Sequence, residues 1–121
     1  MANILIVDDD LVNAQIYAYK LKSEGHQVTL SPDGQSAEKE IAKKFDLILL
    51  DIMMPKIDGT VILAEIKKGT NKDTPVLVHT NFLSEPIKEK CLKELGAREY
   101  LIKADLTPTQ LVEKIEGYLK T

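Results

Sequence analysis

Short apolar runs of strand length alternate with stretches whose apolar residues recur at helical spacing, and the alternation repeats five times. The runs Asn3–Val7, Gln27–Ser31, Asp46–Leu50, Pro75–Thr80 and Glu99–Ile102 (β1 to β5) are rich in Val, Ile and Leu, as in strands covered on both faces. Between them the pattern predicts helices over Asp10–Glu24, Ser36–Lys44, Thr60–Lys68 and Glu85–Leu95 (α1 to α4), with α5 opening after Thr107. Punctuation supports these bounds. Asp10 is placed to cap α1 and Gly25 to close it, while Ser84 and Pro86 open α4 and Gly96 ends it. Thr107-Pro108-Thr109-Gln110 has the form of a capping box, and Leu111, Val112, Ile115 and Leu119 then define one packing face of α5.

Regular βα alternation implies right-handed crossovers, hence one parallel sheet with helices on both faces. Parallel strands end on a common edge, and here the ends carry chemistry. β1 runs into Asp8 and Asp9, β3 into Asp51 and β5 into Lys103, while β4 passes through His79 to the hydroxyl of Thr80. β2 ends without a reactive group, which suits an edge strand. The order 2-1-3-4-5 then sets the other four ends side by side, where open α/β sheets bind ligands.

Three carboxylates at one rim suit a hard divalent cation such as magnesium, which takes oxygen ligands from one or two carboxylates, water and phosphate. Lys103 offers a fixed positive charge and Thr80 a hydrogen bond to phosphoryl oxygens. A carboxylate is also a competent covalent nucleophile, forming an aspartyl phosphate. Each feature alone is commonplace; an aspartate at a strand end is usually a cap. Their ordered occurrence at the ends of β1, β3, β4 and β5 is not.

The 121 residues fit a single domain over 1–121, and a composition of 44% hydrophobic and 29% charged residues is that of an ordinary globule. The apolar runs are too short to span a bilayer, and no basic segment precedes β1. Cys91 is the sole cysteine and cannot form an internal disulfide, so a reducing, cytoplasmic location is expected. A net charge of −3, with lysines interleaved among glutamates, argues against direct nucleic-acid binding.

The segments ILIVDDD, LILLDIMMPKIDG, PVLVHTN and GAREYLIKA, in this order and spacing, resemble the receiver domain of two-component response regulators over essentially the whole chain. The resemblance implies the flavodoxin-like, five-stranded α/β fold of that family. It implies Asp51 as phosphoacceptor, with a histidine kinase or histidine phosphotransfer protein as donor. Magnesium would be held by Asp8, Asp9, Asp51 and the Met53 carbonyl. Lys103 would pair with the phosphoryl group, Thr80 would be the switch hydroxyl, and Tyr100 the aromatic that responds to it. Output would be protein binding through the face formed by α4, β5 and α5, and a phosphorylation-dependent dimer is among the forms the resemblance allows. The chain would catalyse its own phosphorylation and dephosphorylation without being a conventional enzyme.

The chain departs from that family in two places. The lysine is usually followed by a cis proline, but here Lys103 precedes Ala104. A cis bond to alanine costs about 3–4 kcal/mol, so a trans bond and a reshaped loop are expected, which puts docking geometry in doubt. Asn81-Phe82 follows Thr80 where a small residue is usual; the pair either narrows access to the site or faces solvent. Elsewhere, His79 is expected to pack away from the Thr80 hydroxyl, His26 to be solvated in a turn, Cys91 to be a plain packing thiol, and Tyr17 and Tyr19 to pack on α1. Two rival readings remain. One is a pseudo-receiver acting as an unphosphorylated binding module. The other is a haloacid-dehalogenase-type phosphohydrolase using Asp8, which lacks the downstream acidic pair such enzymes need.

Overall fold

The five predicted strands pair in parallel in the order β2-β1-β3-β4-β5, as expected. A computed structural model describes residues 1–120 and bounds them as Asn3–Val7, Gln27–Ser31, Leu47–Leu50, Val76–Thr80 and Glu99–Ile102. Helices span Leu11–Ser23 (α1), Gly34–Glu40 (α2), Gly59–Lys68 (α3), Glu85–Glu89 (α4) and Pro108–Leu119 (α5). No helix among the described residues is long and apolar enough to cross a membrane.

Strand alternation divides the core in two. Leu5, Val7, Ile48, Leu50, Val76 and Val78 face α2, α3 and α4. Ile4, Ile6, Leu47, Leu49 and Leu77 face α1 and α5. Helices cover both faces, which accounts for strands that read as nearly unbroken apolar runs. On α1 the buried stripe is Ala14, Tyr17, Ala18 and Leu21, one-turn spacing throughout. Tyr19 is two positions from Tyr17, on the far side of the helix, and is 75% exposed, so its expected packing role is corrected.

Other boundaries moved for identifiable reasons. α2 stops at Glu40, short of Lys44, because the side chain of buried Asn71 captures the backbone of the next few residues. Its amide donates to the carbonyls of Ile41 and Lys43, and its oxygen accepts from Phe45 N–H. β3 begins at Leu47, where Asp46 turns its carboxylate onto Asn3 N–H. β4 begins after Pro75, which lacks an N–H but whose carbonyl accepts from Ile48 at 3.0 Å. The second half of predicted α4 is a π-helical turn, Lys90–Glu94, buried through Cys91. His26 is not solvated: its Nδ1 accepts from Ala2 N–H, and its Nε2 meets Glu116 of α5. Finally, Met53–Met54 and Ile57–Asp58 form a short antiparallel hairpin, with Pro55 and Lys56 at its tip, in the stretch between β3 and α3 to which the sequence pattern assigns no element.

Candidate functional site

Register brings the rim together. Val7, Leu50, Val78 and Tyr100 form one row across β1, β3, β4 and β5. The next residues are Asp8, Asp51, His79 and Leu101, and one step further are Asp9, Thr80 and Ile102. Successive residues point to opposite faces, so Thr80 and Tyr100 share the α4 side. His79 turns to the α1 side, where its ring meets Tyr17 edge-on at 5.5 Å, as expected.

Lys103 lies three residues past the row, and its long side chain reaches back. The ammonium contacts Asp51 Oδ2 at 2.8 Å and Asp8 Oδ2 at 2.9 Å. The opposite oxygens are held by the backbone: Asp8 Oδ1 accepts from Asp10 N–H, and Asp51 Oδ1 from Met53 N–H, both at 2.9 Å. Asp8 is 3% exposed and Asp51 5%, whereas Asp9 stands open to solvent. One carboxylate oxygen from each of the three lies within 4.8 Å of the others, a spacing able to hold a cation.

Burial sets the electrostatics. It raises the Asp8 carboxyl above its ordinary value, although Lys103 and Asp10 N–H pull the other way. Burial alone would lower Lys103; the hydrogen bonds and charges of Asp51 and Asp8 outweigh it and hold the ammonium above the usual lysine range. The site therefore fixes one positive charge against carboxylates crowded in low dielectric.

Thr80 is fully buried, and its Oγ1 accepts from Phe82 N–H at 3.2 Å. The Tyr100 hydroxyl donates to the Phe82 carbonyl at 2.6 Å, and burial pushes that phenol up to about 12. Asn81 faces solvent, one of the two alternatives expected for it, and its Oδ1 also accepts from Ala104 N–H at 3.2 Å. The described residues contain no cis peptide, so the Lys103–Ala104 bond is trans as expected, and it opens a single 3-10 turn, Lys103–Asp105. A cleft of about 840 Å³ borders Asp9 and runs along Met53, Pro55 and Phe82 to Ile87.

Asp8, Asp9, Asp51 and Lys103 thus meet at one rim, with Met53 joined to Asp51 through its N–H, Thr80 one residue row beyond Asp51, and Tyr100 one row before it. The backbone donors of Asp10 and Met53 carried no signal in the sequence. The Asn81–Ala104 contact did: both positions stood out as departures from the family pattern.

Comparison with known proteins agrees with this geometry. The response regulator receiver domain profile matches residues 4–116. The transcriptional regulatory protein ZraR of Klebsiella oxytoca is 42% identical over 102 residues, 84% of this chain and 23% of the relative. The chain thus spans about a quarter of that relative's length. A CheY-like receiver domain protein from Methanospirillum hungatei JF-1 superposes with a TM-score of 0.91 at 29% identity, covering 99% of this chain and 94% of the other. A Burkholderia pseudomallei response regulator, solved with a phosphorylated aspartic acid, a calcium ion and citrate, superposes at 0.85 and 28% identity, covering 100% and 68%. The chain belongs to the response regulator receiver domain family.

Proposed function

We propose that this protein is a phosphorylation-controlled signalling switch that receives a phosphoryl group on Asp51 from a histidine kinase or histidine phosphotransfer protein. The observation that carries the reading is the Lys103 ammonium lodged between Asp51 and Asp8, with Asp9 alongside. That arrangement supplies an acceptor carboxylate, a fixed cation and an acidic cradle at one edge of the sheet.

The donor set is oxygen-only, which fits magnesium better than a softer metal. Asp8, Asp9 and Asp51, with the Met53 carbonyl, would hold it. When bound, the cation neutralises charge on the phosphoryl oxygens. An Asp51 oxygen attacks phosphorus in line. The new O–P bond forms as the bond to the donor imidazole nitrogen breaks, its electron pair staying on that ring. Met53 N–H orients the Asp51 carboxylate for this attack. Lys103 exchanges part of its contact with Asp51 for a phosphoryl oxygen, stabilising charge as it develops.

The product adds about −1.5 to −2 charge and three strong acceptors at the rim. The Thr80 hydroxyl, now held by its own loop, gains a reason to turn toward them. Its movement displaces the loop that Tyr100 grips at Phe82, and so alters the face formed by α4, β5 and α5. Binding of a protein partner there is the output. The phosphoryl group shifts this equilibrium only as far as the two loop states bind it unequally.

Intact mass after incubation with acetyl phosphate and magnesium tests the reading. One added phosphoryl group, mapped to Asp51 and absent from Asp51→Asn, is the expected result. Label on Asp8 in place of Asp51 would overturn it.

A further inference from the structure

The peptide that follows Lys103 is held at both ends. Its carbonyl accepts from Leu106 N–H at 3.4 Å, closing the 3-10 turn. Its N–H, on Ala104, is one of the donors that any helical turn leaves unsatisfied at its start. The residue in the capping position, Ile102, has no side-chain acceptor, and the turn makes no local capping bond. The acceptor comes from elsewhere in the chain: Asn81 Oδ1, 23 residues away on the segment leaving β4.

We infer that Asn81 is a positioning residue for Lys103, capping the turn after β5 from the neighbouring strand end and tying the Thr80 segment to the lysine that faces Asp51. The inference rests on the proposed phosphoacceptor role of Asp51 and names a regulator of that same site. Two observations carry it. First, a peptide plane fixed at both ends fixes the direction in which Lys103 leaves the backbone. Its half-buried side chain must then span back over the rim to reach both Asp51 and Asp8. A small swing of that plane moves the far end of a long side chain by much more than the plane itself.

Second, the β4–α4 segment is held from β5 and from the turn that follows it. Tyr100 donates to the Phe82 carbonyl, and Ala104 donates to Asn81. Thr80 sits directly before this clamp, with its hydroxyl engaged by Phe82 N–H. Movement of Thr80 toward a phosphoryl group therefore pulls on Asn81, and through it on the peptide that sets Lys103. The two rim groups that answer the phosphoryl group act as one unit. The pairing also requires an N–H at residue 104. Alanine supplies it and proline would not, so the two unusual positions, Asn81 and Ala104, are one feature.

Amide hydrogen exchange and phosphorylation kinetics on the full chain test the inference. Asn81→Ala is expected to speed exchange of the Ala104 amide by about five-fold, the scale of one neutral hydrogen bond. It is also expected to lower the maximal rate of phosphorylation by acetyl phosphate about five-fold, a barrier change of the same size, with half-saturation by acetyl phosphate unchanged. Asn81→Asp keeps an acceptor oxygen and should restore protection of the Ala104 amide, a rescue that loss of bulk packing would not show. In an Ala104→Pro background, where the donor is gone, Asn81→Ala should add nothing further to the rate. Unchanged Ala104 exchange in Asn81→Ala overturns the inference. So do rates within experimental error of the parent, or effects of Asn81→Ala that persist undiminished beside Ala104→Pro. A parent chain that takes no phosphoryl group defeats the proposed function instead, and the latch is then decided by the exchange data alone.

Discussion

His79 carries at its Nδ1 the one buried side-chain polar atom without a hydrogen-bond partner among the described residues. An unpaired buried acceptor or donor costs about 1–3 kcal/mol, and it also controls titration. Burial, reinforced by the nearby Lys103 charge, pulls the imidazole down to about 4, with Asp51 opposing weakly. A depressed base is neutral in the folded chain where the unfolded chain already binds a proton. Its contribution to stability is complete above the ordinary histidine value of about 6.5 and is lost as pH falls toward 4. The whole shift is worth about 3 kcal/mol. Urea unfolding between pH 7 and 4.5 should therefore show a steeper fall for the parent than for His79→Leu, which has nothing to protonate there. Parallel pH curves would refute the account. At pH 7 the leucine variant should be no less stable, since it also removes the orphaned nitrogen. That this histidine packs away from Thr80 was legible from strand alternation; its missing partner was not, because that depends on what α1 places opposite it.

At the scale of elements, local signals were read correctly and distant ones were not. The α5 capping box forms as the four residues Thr107 to Gln110 announce it, with both reciprocal bonds present. Asp10 likewise caps α1 through Asn13 N–H. The end of α2, by contrast, is set by Asn71, on a loop far along the chain, and no pattern within α2 records that. The hairpin after Asp51 has strands of two residues, too short for any periodicity. Gly59 looks in the sequence like any turn glycine, yet its requirement comes from close approach. A Cβ there would lie 2.2 Å from Ile52 Cα, on backbone that cannot yield cheaply. Gly59→Ala is accordingly expected to destabilise the chain by at least about 1–3 kcal/mol. It should also slow phosphorylation, because the collision falls on the residue next to Asp51. Gly117 offers the opposite case: it lies within α5 with nothing near its added Cβ. Gly117→Ala should stabilise by roughly 0.5–1 kcal/mol through helix propensity. Denaturant midpoints that move in the same direction for the two variants would contradict this reading.

Across the whole molecule, the parallel topology gathers charge that the fold would be easier to build without. Because all five strands of the main sheet point the same way, the sequence order of Asp8, Asp9, Asp51, Thr80 and Lys103 already implied their convergence. What it could not convey was that one ammonium would serve two buried carboxylates at once. Removing it should be costly. Truncating one partner of a buried ion pair typically costs about 3–5 kcal/mol, because a charge is left uncompensated, and Lys103→Met is predicted to fall in that range at pH 7. The pH dependence identifies the cause. Asp8 is already raised by burial against the pull of Lys103, so losing the lysine raises it further. A carboxyl raised in the folded state favours folding while protonated, and that advantage disappears as pH climbs through its folded value. Lys103→Met should therefore recover part of its deficit on acidification from pH 7 toward 5. Magnesium should do the same at constant pH by restoring positive charge at the rim. A ligand at about 100 times its Kd adds about 2.7 kcal/mol to whichever chain binds it, and the variant, having lost its internal cation, has more repulsion for the ion to relieve. Urea unfolding of both chains at the two pH values, with and without magnesium, decides the matter. A deficit insensitive to both would mean that Lys103 stabilises the fold through the packing of its stem, with the carboxylates bearing no strain for function to draw on.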